Sequence, residues 1–151
     1  MFDNLSNRLF FRLYQTANTL HKVGAQALGE EEVTTQQWSI LGALSRPTAS
    51  EGMSVSELCE YLKLSRQNIS GVLNRLEERG VITRAIAPKD QRSRLIFLTP
   101  EGKKLWANIA PMINGFYEEA LASFSEDDRI SFVHYLNKLF ETMLKMDRTN
   151  S

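Results

Sequence analysis

The amino-acid sequence predicts a mainly α-helical protein with one small β-hairpin. Apolar residues recur every three or four positions through long stretches near both ends of the chain, a spacing that is typical of amphipathic helices. A serine or threonine precedes most of these stretches in the position of a helix N-cap. Residues 81–87 and 93–98 are two short runs that are each typical of a strand, with a charged turn between them.

Charge is distributed unevenly along the chain. The 151 residues carry 18 basic and 18 acidic side chains, and this zero net charge argues against a general nucleic-acid coat protein. Between residues 63 and 94, however, eight lysines or arginines accompany only three acids. This window could therefore bind a polyanion such as nucleic acid.

The composition excludes several other classes of protein. The single cysteine, Cys59, cannot form an internal disulfide and fits a reducing cytoplasm. We find no secretory leader and no apolar run long enough to cross a membrane, so we expect a cytoplasmic protein. Two histidines and one cysteine leave little for a metal site. Without a glycine-rich phosphate loop or a nucleophile motif, we expect neither an enzyme nor a bound cofactor.

Residues 2–28 are predicted to form a long amphipathic helix. Its apolar side includes Phe10, Leu13 and Leu20, and Leu5 and Leu9 extend that side toward the N-terminus. This face is wider than one contact within a small domain requires. A second copy of the chain is the simplest partner for it.

Two further helices and a turn follow. Thr34 with Gln37, and Ser54 with Glu57, have the spacing of a capping box, in which side chain and backbone at the helix start exchange hydrogen bonds. Residues 63 and 64 then form a turn into Ser65, the predicted N-cap of the fourth helix. A short helix, a tight turn and a second helix form a helix-turn-helix, which we place in a lobe spanning residues 34–98.

The fourth helix has one narrow apolar face, formed by Ile69, Val72, Leu73 and Leu76. The opposite side is short and polar, and its side chains could hydrogen-bond bases or phosphates in a major groove. Our candidate DNA contacts in this helix are Ser65, Arg66, Gln67, Asn68, Ser70, Asn74 and Arg75. Gly71 on the polar side costs about 1 kcal/mol relative to alanine, which close approach to DNA would explain. Alternatively, Gly71 allows another helix to pack closely.

The predicted hairpin follows Gly80, which closes the fourth helix. We expect strands at residues 81–87 and 93–98, joined by a turn at residues 88–92. Lys89, Asp90 and Arg92 in this turn are candidate DNA contacts, because an arginine suits the narrow minor groove of A·T-rich DNA. The alternative is a solvated charged turn without a partner.

Thr99 and Pro100 begin a helix predicted to reach residue 123, with a kink at Pro111. Ser125 and Asp128 then cap a last helix with a broad apolar face. No later segment of the sequence covers that face. We therefore expect residues 1–30 and 100–147 to form a helical dimerisation region.

Two sequence motifs resemble those of the multiple-antibiotic-resistance regulator (MarR) family. Residues 64–70 and 76–82 match the reading helix and its end, and Asp90-Gln91-Arg92-Ser93 followed by Leu98-Thr99-Pro100-Glu101-Gly102 matches the wing pattern. The resemblance extends over nearly the whole chain and implies a single winged helix-turn-helix domain, residues 1–151. It also implies a homodimer that places two reading helices on a pseudo-palindromic operator. In this family pattern Arg92 enters the minor groove and Asp90 holds it.

The resemblance further implies a transcriptional regulator, predicted here to be a repressor, that a small aromatic or phenolic acid releases from DNA. Candidate ligand-binding residues are Tyr14, His21, Trp38, Met112 and Phe116, because polar tips on an apolar helix face need partners and aromatic side chains form pocket walls. Alternatively, Tyr14 and His21 are satisfied residues of the core or the interface.

Two rival functions remain open. A winged helix can act as a protein-docking module, which would not need the outward polar set of Gln67, Asn74 and Arg92. A thiol-based redox sensor would need a reactive, exposed cysteine. Cys59 falls on the predicted core side of its helix, and the oxidant-sensing relatives carry their reactive cysteine near the N-terminus.

Overall fold

The computed structural model describes residues 4–87 and 90–148, with the backbone alone at Ala87 and residues 90–93. Six α-helices and one two-stranded antiparallel sheet make up the described chain, which confirms a mainly helical protein with one hairpin. The elements are α1 Asn4–Ala27, α2 Thr35–Ser45, α3 Val55–Leu62, α4 Arg66–Glu78, β1 Ile82–Ala87, β2 Asp90–Leu98, α5 Pro100–Ala120 and α6 Glu126–Met146. Among them, no helix has the length and hydropathy of a membrane span.

The predicted helix starts are confirmed. Thr34, Ser54 and Ser125 each form a complete capping box with the residue three positions on. Pro100 is the first residue of α5, and the hydroxyl of Thr99 accepts a hydrogen bond from the amide of Gly102 at 3.0 Å. These caps depend on residues close together in the sequence, which is why they could be read from it.

The first compact unit, Met1–Asn114, has its core around α2. Six of the eleven residues of α2 are buried, and the helix packs against α1, α3, α4 and β2. The side chains that are almost completely buried are aliphatic: Leu28, Val33, Ile40, Leu41, Leu58, Ile69, Leu73, Leu76, Ile82, Ile96 and Ile109. This apolar centre holds α3, α4 and the hairpin in one lobe.

The second compact unit, Gly115–Ser151, contains the end of α5 and all of α6. Within it, Arg129 pairs with Glu118 at 3.5 Å, and the rings of Phe124 and Phe132 lie 5.9 Å apart. Apolar side chains on α6 remain exposed in the single chain: Ile130, Phe132, Val133, Leu136, Phe140 and Met143.

The hairpin differs from the prediction at the start of each strand and therefore at the turn. β1 begins at Ile82 because the backbone of Val81 bonds elsewhere, its amide to Leu76 and its carbonyl to the amide of Thr99. β2 begins at Asp90, so Asp90 and Arg92 belong to a strand by their backbone and not to a turn at 88–92. Away from its base the hairpin is exposed at Ala85, Ile86 and Arg94. Solvated strand positions tolerate charged residues, and side-chain polarity alone therefore misplaced the turn.

Residues far apart in sequence complete the base of the hairpin. Met53, in the connection between α2 and α3, forms an isolated antiparallel bridge with Ile96 through two backbone hydrogen bonds of 3.0 and 2.7 Å. Just before it, Gly52 has a φ of +89°, and a Cβ there would lie 2.7 Å from the ring of Phe97. A single bridging residue has no periodicity, so the sequence did not predict this contact.

Candidate nucleic-acid interface

The fourth helix starts at a formed N-cap, directly after a tight turn. Lys63 adopts a left-handed conformation with a φ of 55°, and the amide of Leu64 donates to the carbonyl of Cys59 at 3.0 Å. The hydroxyl of Ser65 accepts a hydrogen bond from the amide of Asn68 at 3.2 Å, as predicted. Only residues 63–65 separate α3 from α4, which gives the predicted helix-turn-helix.

The two faces of α4 are as predicted. One face is buried in the lobe through Ile69, Leu73 and Leu76, and the other exposes Gln67, Ser70, Gly71 and Asn74. A Cβ built on Gly71 would meet no described atom within 4 Å. Among the described residues no helix packs against Gly71, so the alternative explanation for this glycine is not supported by the protomer. The outward face is open to a partner.

Several predicted contact residues already take part in hydrogen bonds within the lobe. Ser65 caps the helix, the hydroxyl of Ser70 donates to the carbonyl of Arg66 at 2.6 Å, and the guanidinium of Arg66 donates to the hydroxyl of Ser56 on α3. The side chains of Gln67, Asn68 and Arg75 are exposed. No hydrogen bond or ion pair joins them to another described residue, so they are available to bind an external partner.

Arg84, which the sequence analysis did not select as a contact, lies beside the outward face. From β1 its Nη2 donates to Oδ1 of Asn74 at 3.0 Å, and its Nε lies 3.6 Å from a carboxylate oxygen of Glu77. The side chain of Arg84 is only 23% exposed. The hairpin thus holds the side chain of Asn74 through Arg84. These two residues are ten positions apart, and their contact depends on how β1 crosses α4.

The wing residues lie largely outside the described side chains. Lys89 falls outside the described residues, and of Asp90 and Arg92 only the backbone is described. The regular register runs from Ile82–Leu98 to Ile86–Arg94, and the next pair is Ala87–Asp90. Arg92 therefore lies in an irregular stretch of β2 near the end of the hairpin. Its contact with Asp90 stays a prediction.

Not all of the basic residues in the positive window face outward to a partner. Arg79, at the end of α4, donates through Nη1 to the carbonyl of Glu32 at 2.9 Å and through Nη2 to the carbonyl of Glu31 at 2.6 Å. It ties α4 to the short 3₁₀ turn Gly29–Glu31 between α1 and α2. Lys63 pairs with Glu60. Arg75 and Arg94 are exposed, and no ion pair joins either to a described residue.

Comparison with known proteins identifies the family. The sequence model of the MarR family matches residues 32–93. The transcriptional activatory protein BadR of Rhodopseudomonas palustris is 48% identical over 144 residues, a match that covers 95% of this chain and 82% of that protein. The chain belongs to the MarR family. As a MarR-family protein it is a transcriptional regulator, and the predicted resemblance is confirmed.

Solved structures of MarR-family regulators have the same fold. The regulator PcaV of Streptomyces coelicolor, in complex with its natural ligand, has a TM-score of 0.76 and 26% identity, with 93% of this chain and 97% of PcaV covered. The transcriptional repressor CouR bound to a 23-mer DNA duplex has a TM-score of 0.76 and 25% identity, with 89% of this chain and 94% of CouR covered. The winged-helix fold predicted from sequence is confirmed.

Two of the predicted ligand-binding residues of this MarR-family chain, His21 and Trp38, lie near the contact between α1 and α2. His21 Nδ1 shares a hydrogen bond with the hydroxyl of buried Thr35. One turn on, a Cβ on Gly24 would lie 2.8 Å from Thr35 and 2.9 Å from the ring of Trp38. His21 itself is exposed. Thr35 was not predicted as a residue of this site, because a threonine at the start of a helix is usually interpreted as part of the N-cap.

The other predicted ligand-binding residues, Tyr14, Met112 and Phe116, differ in exposure and in the compact unit to which they belong. Tyr14 is 69% exposed in the single chain, so it is not the buried polar tip that the sequence analysis assumed. Met112 is 38% exposed in the first compact unit, and Phe116 belongs to the second. Within the described residues no group of three or more His, Cys, Asp or Glu could hold a metal ion. Cys59 is half-buried on α3.

A separate cavity of about 270 Å³ lies between the end of α2, β2 and α5. Its walls include Leu44, Phe97 and Trp106, and Lys103 lies at its edge. None of the five predicted ligand-binding residues lines this cavity. It is therefore a second place in the lobe where a small aromatic anion could bind.

Proposed function

We propose that the chain is a dimeric, sequence-specific DNA-binding regulator whose α4 enters the major groove. The observation that carries the proposal is the outward face of α4, which is exposed, polar and open at Gly71. A helix with its side chains is about 10–12 Å across and the major groove is about 12 Å wide, so a groove-facing helix needs small residues at its point of closest approach. CouR, which has the same fold, is a DNA-bound repressor.

A second copy of the chain is the proposed partner of the exposed apolar side chains. On α1 these include Leu5, Leu9, Phe10 and Phe11, which are 50–66% exposed, and α6 carries a comparable set. Apolar surface in such continuous runs marks an interaction site. In a symmetric dimer two α4 helices would lie about one helical turn of DNA apart, which matches a pseudo-palindromic operator.

DNA binding is tested by fluorescence anisotropy with duplexes from the region upstream of the chain's own gene. We expect affinity to fall steeply as salt rises, because bound phosphates release counterions. We expect Arg92→Ala to weaken binding at least about tenfold, which corresponds to about 1.4 kcal/mol, and to leave the dimer intact in sedimentation. An arginine in the minor groove contributes directly to the complex and not to the fold.

The matched control is Lys104→Ala, which removes an exposed positive charge from α5, outside the proposed interface. It should leave the affinity unchanged. Binding that is absent or insensitive to salt would contradict the DNA-binding proposal and favour the protein-docking alternative. Equal affinity of wild type and Arg92→Ala would contradict the role of the wing.

We propose repression as the direction of regulation, as the sequence analysis predicted. Activation is the second candidate, because the relative with 48% identity is named a transcriptional activatory protein. Transcription in vitro from the chain's own upstream promoter separates the two. Added protein lowers transcript yield if it represses and raises the yield if it activates.

A small aromatic or phenolic acid, bound near His21, is the proposed effector. Since His21 Nδ1 bonds Thr35, its other ring nitrogen is the atom left for a ligand carboxylate. Tyr14, Trp38 and Met112, which belong to the same compact unit as His21, remain the proposed walls. PcaV, at 26% identity, is a regulator whose structure is a complex with its natural ligand.

The effector is tested by a thermal-shift screen of aromatic acids and their thioesters. A true ligand at 100 times its Kd should stabilise the fold by about 2.7 kcal/mol, which raises Tm by about 5–10 °C. We expect His21→Ala to abolish this shift and Lys103→Ala to preserve it. The reverse result would place the ligand in the cavity beside Trp106, and no shift with any compound would reject an aromatic acid effector.

A further inference from the structure

Asn74 is held on the outward face of α4 by a contact that restricts how its amide can bind. Its Oδ1 accepts a hydrogen bond from Nη2 of Arg84 at 3.0 Å. Glu77, one turn along the same side of α4, lies 3.6 Å from Nε of that guanidinium. The exposed amide of Asn74 is thus hydrogen-bonded to the partly buried guanidinium of Arg84, and the carboxylate of Glu77 lies near the same guanidinium.

The chemistry of the pair decides which atom of Asn74 faces Arg84. A guanidinium has only hydrogen-bond donors, so the amide atom that faces it must be the oxygen and not the nitrogen. An asparagine usually reads adenine through both atoms, with the oxygen accepting from N6 and the nitrogen donating to N7. Arg84 occupies one lone pair of the oxygen and holds it toward the hairpin, so only the second lone pair is left to accept from a base.

We propose that Arg84 and Glu77 fix the amide of Asn74 with its oxygen toward the hairpin, so that its nitrogen donates to an acceptor in the major groove and adenine is not read through both atoms. Guanine is the favoured base, because its N7 and O6 are adjacent acceptors. This inference rests on the proposed DNA-binding function and specifies its sequence preference. Arg84 is a positioning residue that acts through Asn74.

The surroundings of Arg84 favour positioning over a purely structural role. Its Nε is buried, yet it makes no hydrogen bond to any described residue. The carboxylate of Glu77 is 45% exposed, so solvent screens this pair and limits its stabilisation of the fold. The well-formed hydrogen bond of the guanidinium is the one to Asn74.

The test measures base preference at each position of the operator. Competition anisotropy compares full-length protein on duplexes in which every base pair of one half-site is replaced in turn by the other three. For wild type we expect one position where guanine is preferred by at least about tenfold. Asn74→Ala should flatten the preference at that position and leave the other positions unchanged.

Variants of Arg84 distinguish positioning from support of the fold. Arg84→Met frees the amide, so the preference at the same position should shift toward adenine. Arg84→Lys keeps a donor for the amide oxygen and should retain guanine. A purely structural role would lower affinity on every duplex by a common factor and leave the preference intact. Thermal unfolding confirms that each variant is folded. If Arg84→Met does not fold, Arg84→Lys is the variant compared with wild type.

Three outcomes would overturn the inference. They are a wild-type preference for adenine at the position that Asn74→Ala flattens, no position that responds to Asn74→Ala, and an unchanged preference in Arg84→Met. A uniform loss of affinity in Asn74→Ala would assign its donor to a phosphate and reject base reading. Failure of wild type to bind any duplex would instead reject the proposed function itself.

Discussion

Gly102→Ala is expected to destabilise the protein by about 3 kcal/mol, which would lower Tm by about 6–12 °C. A Cβ at this position would overlap the carbonyl oxygen of Val81 and lie 3.2 Å from the side chain of Leu98. The carbonyl cannot easily move, because it accepts the amide of Thr99 at 3.1 Å. Relief of the overlap would separate α5 from the end of α4. Urea unfolding at fixed protein concentration measures the change in the free energy of unfolding.

Gly115→Ala is the matched control for this substitution. Gly115 is also in α5, and beyond its chain neighbours and the nearby backbone of α5 an added Cβ would meet no described atom within 4 Å. It should be neutral or slightly stabilising, since alanine favours a helix by up to about 1 kcal/mol over glycine. Equal unfolding midpoints for Gly102→Ala and wild type would contradict the close contact between α5 and Val81.

Gly71→Leu is expected to preserve the fold and to lose at least about tenfold in DNA affinity. A Cβ added at Gly71 would meet no described atom within 4 Å, and the neighbouring outward positions Gln67, Ser70 and Asn74 are exposed. In the proposed complex it would project from the groove-facing side of α4, where a helix already fills the groove. Gly71→Ala, with the smaller addition, should raise Tm by about 2–4 °C, as a gain of about 1 kcal/mol in helix stability predicts. Calorimetry and anisotropy on the same samples separate the two effects.

Ala107→Leu is the control for added bulk on an exposed helical position outside α4. It should change neither the fold nor the DNA affinity. If Gly71→Leu binds operator as tightly as wild type, α4 does not approach DNA at this position. The explanation of this glycine by close approach would then be wrong.

Much of the fold was predictable because its signals are local. The capping boxes at Thr34 and Ser125 and the start of α5 at Pro100 each depend on residues within one helical turn. The alternation of faces in α4 follows from helical geometry and was confirmed by burial of Ile69 and Leu73. The turn of the hairpin was misplaced, because charged residues are common both in turns and in solvated strands.

The candidate site was only partly predictable from sequence. The outward face of α4 follows from its periodicity, but the contact between Arg84 and Asn74 depends on the crossing of β1 and α4. Arg79 was counted among the positive charges of the window, whereas the fold directs it to the carbonyls of Glu31 and Glu32. A sequence records a charge and not the direction in which a side chain points.

The sequence by itself determined the family, the order of the helices and the polar face of α4, since helix caps, periodicity and short motifs are properties of neighbouring residues. Only the tertiary structure decided that Gly102 lies against Val81, that Met53 bridges to Ile96 and that Arg84 orients Asn74. Each of these contacts joins residues ten or more positions apart. Such contacts form only when the apolar core around α2 brings the elements together, because packing and not local pattern sets their distances.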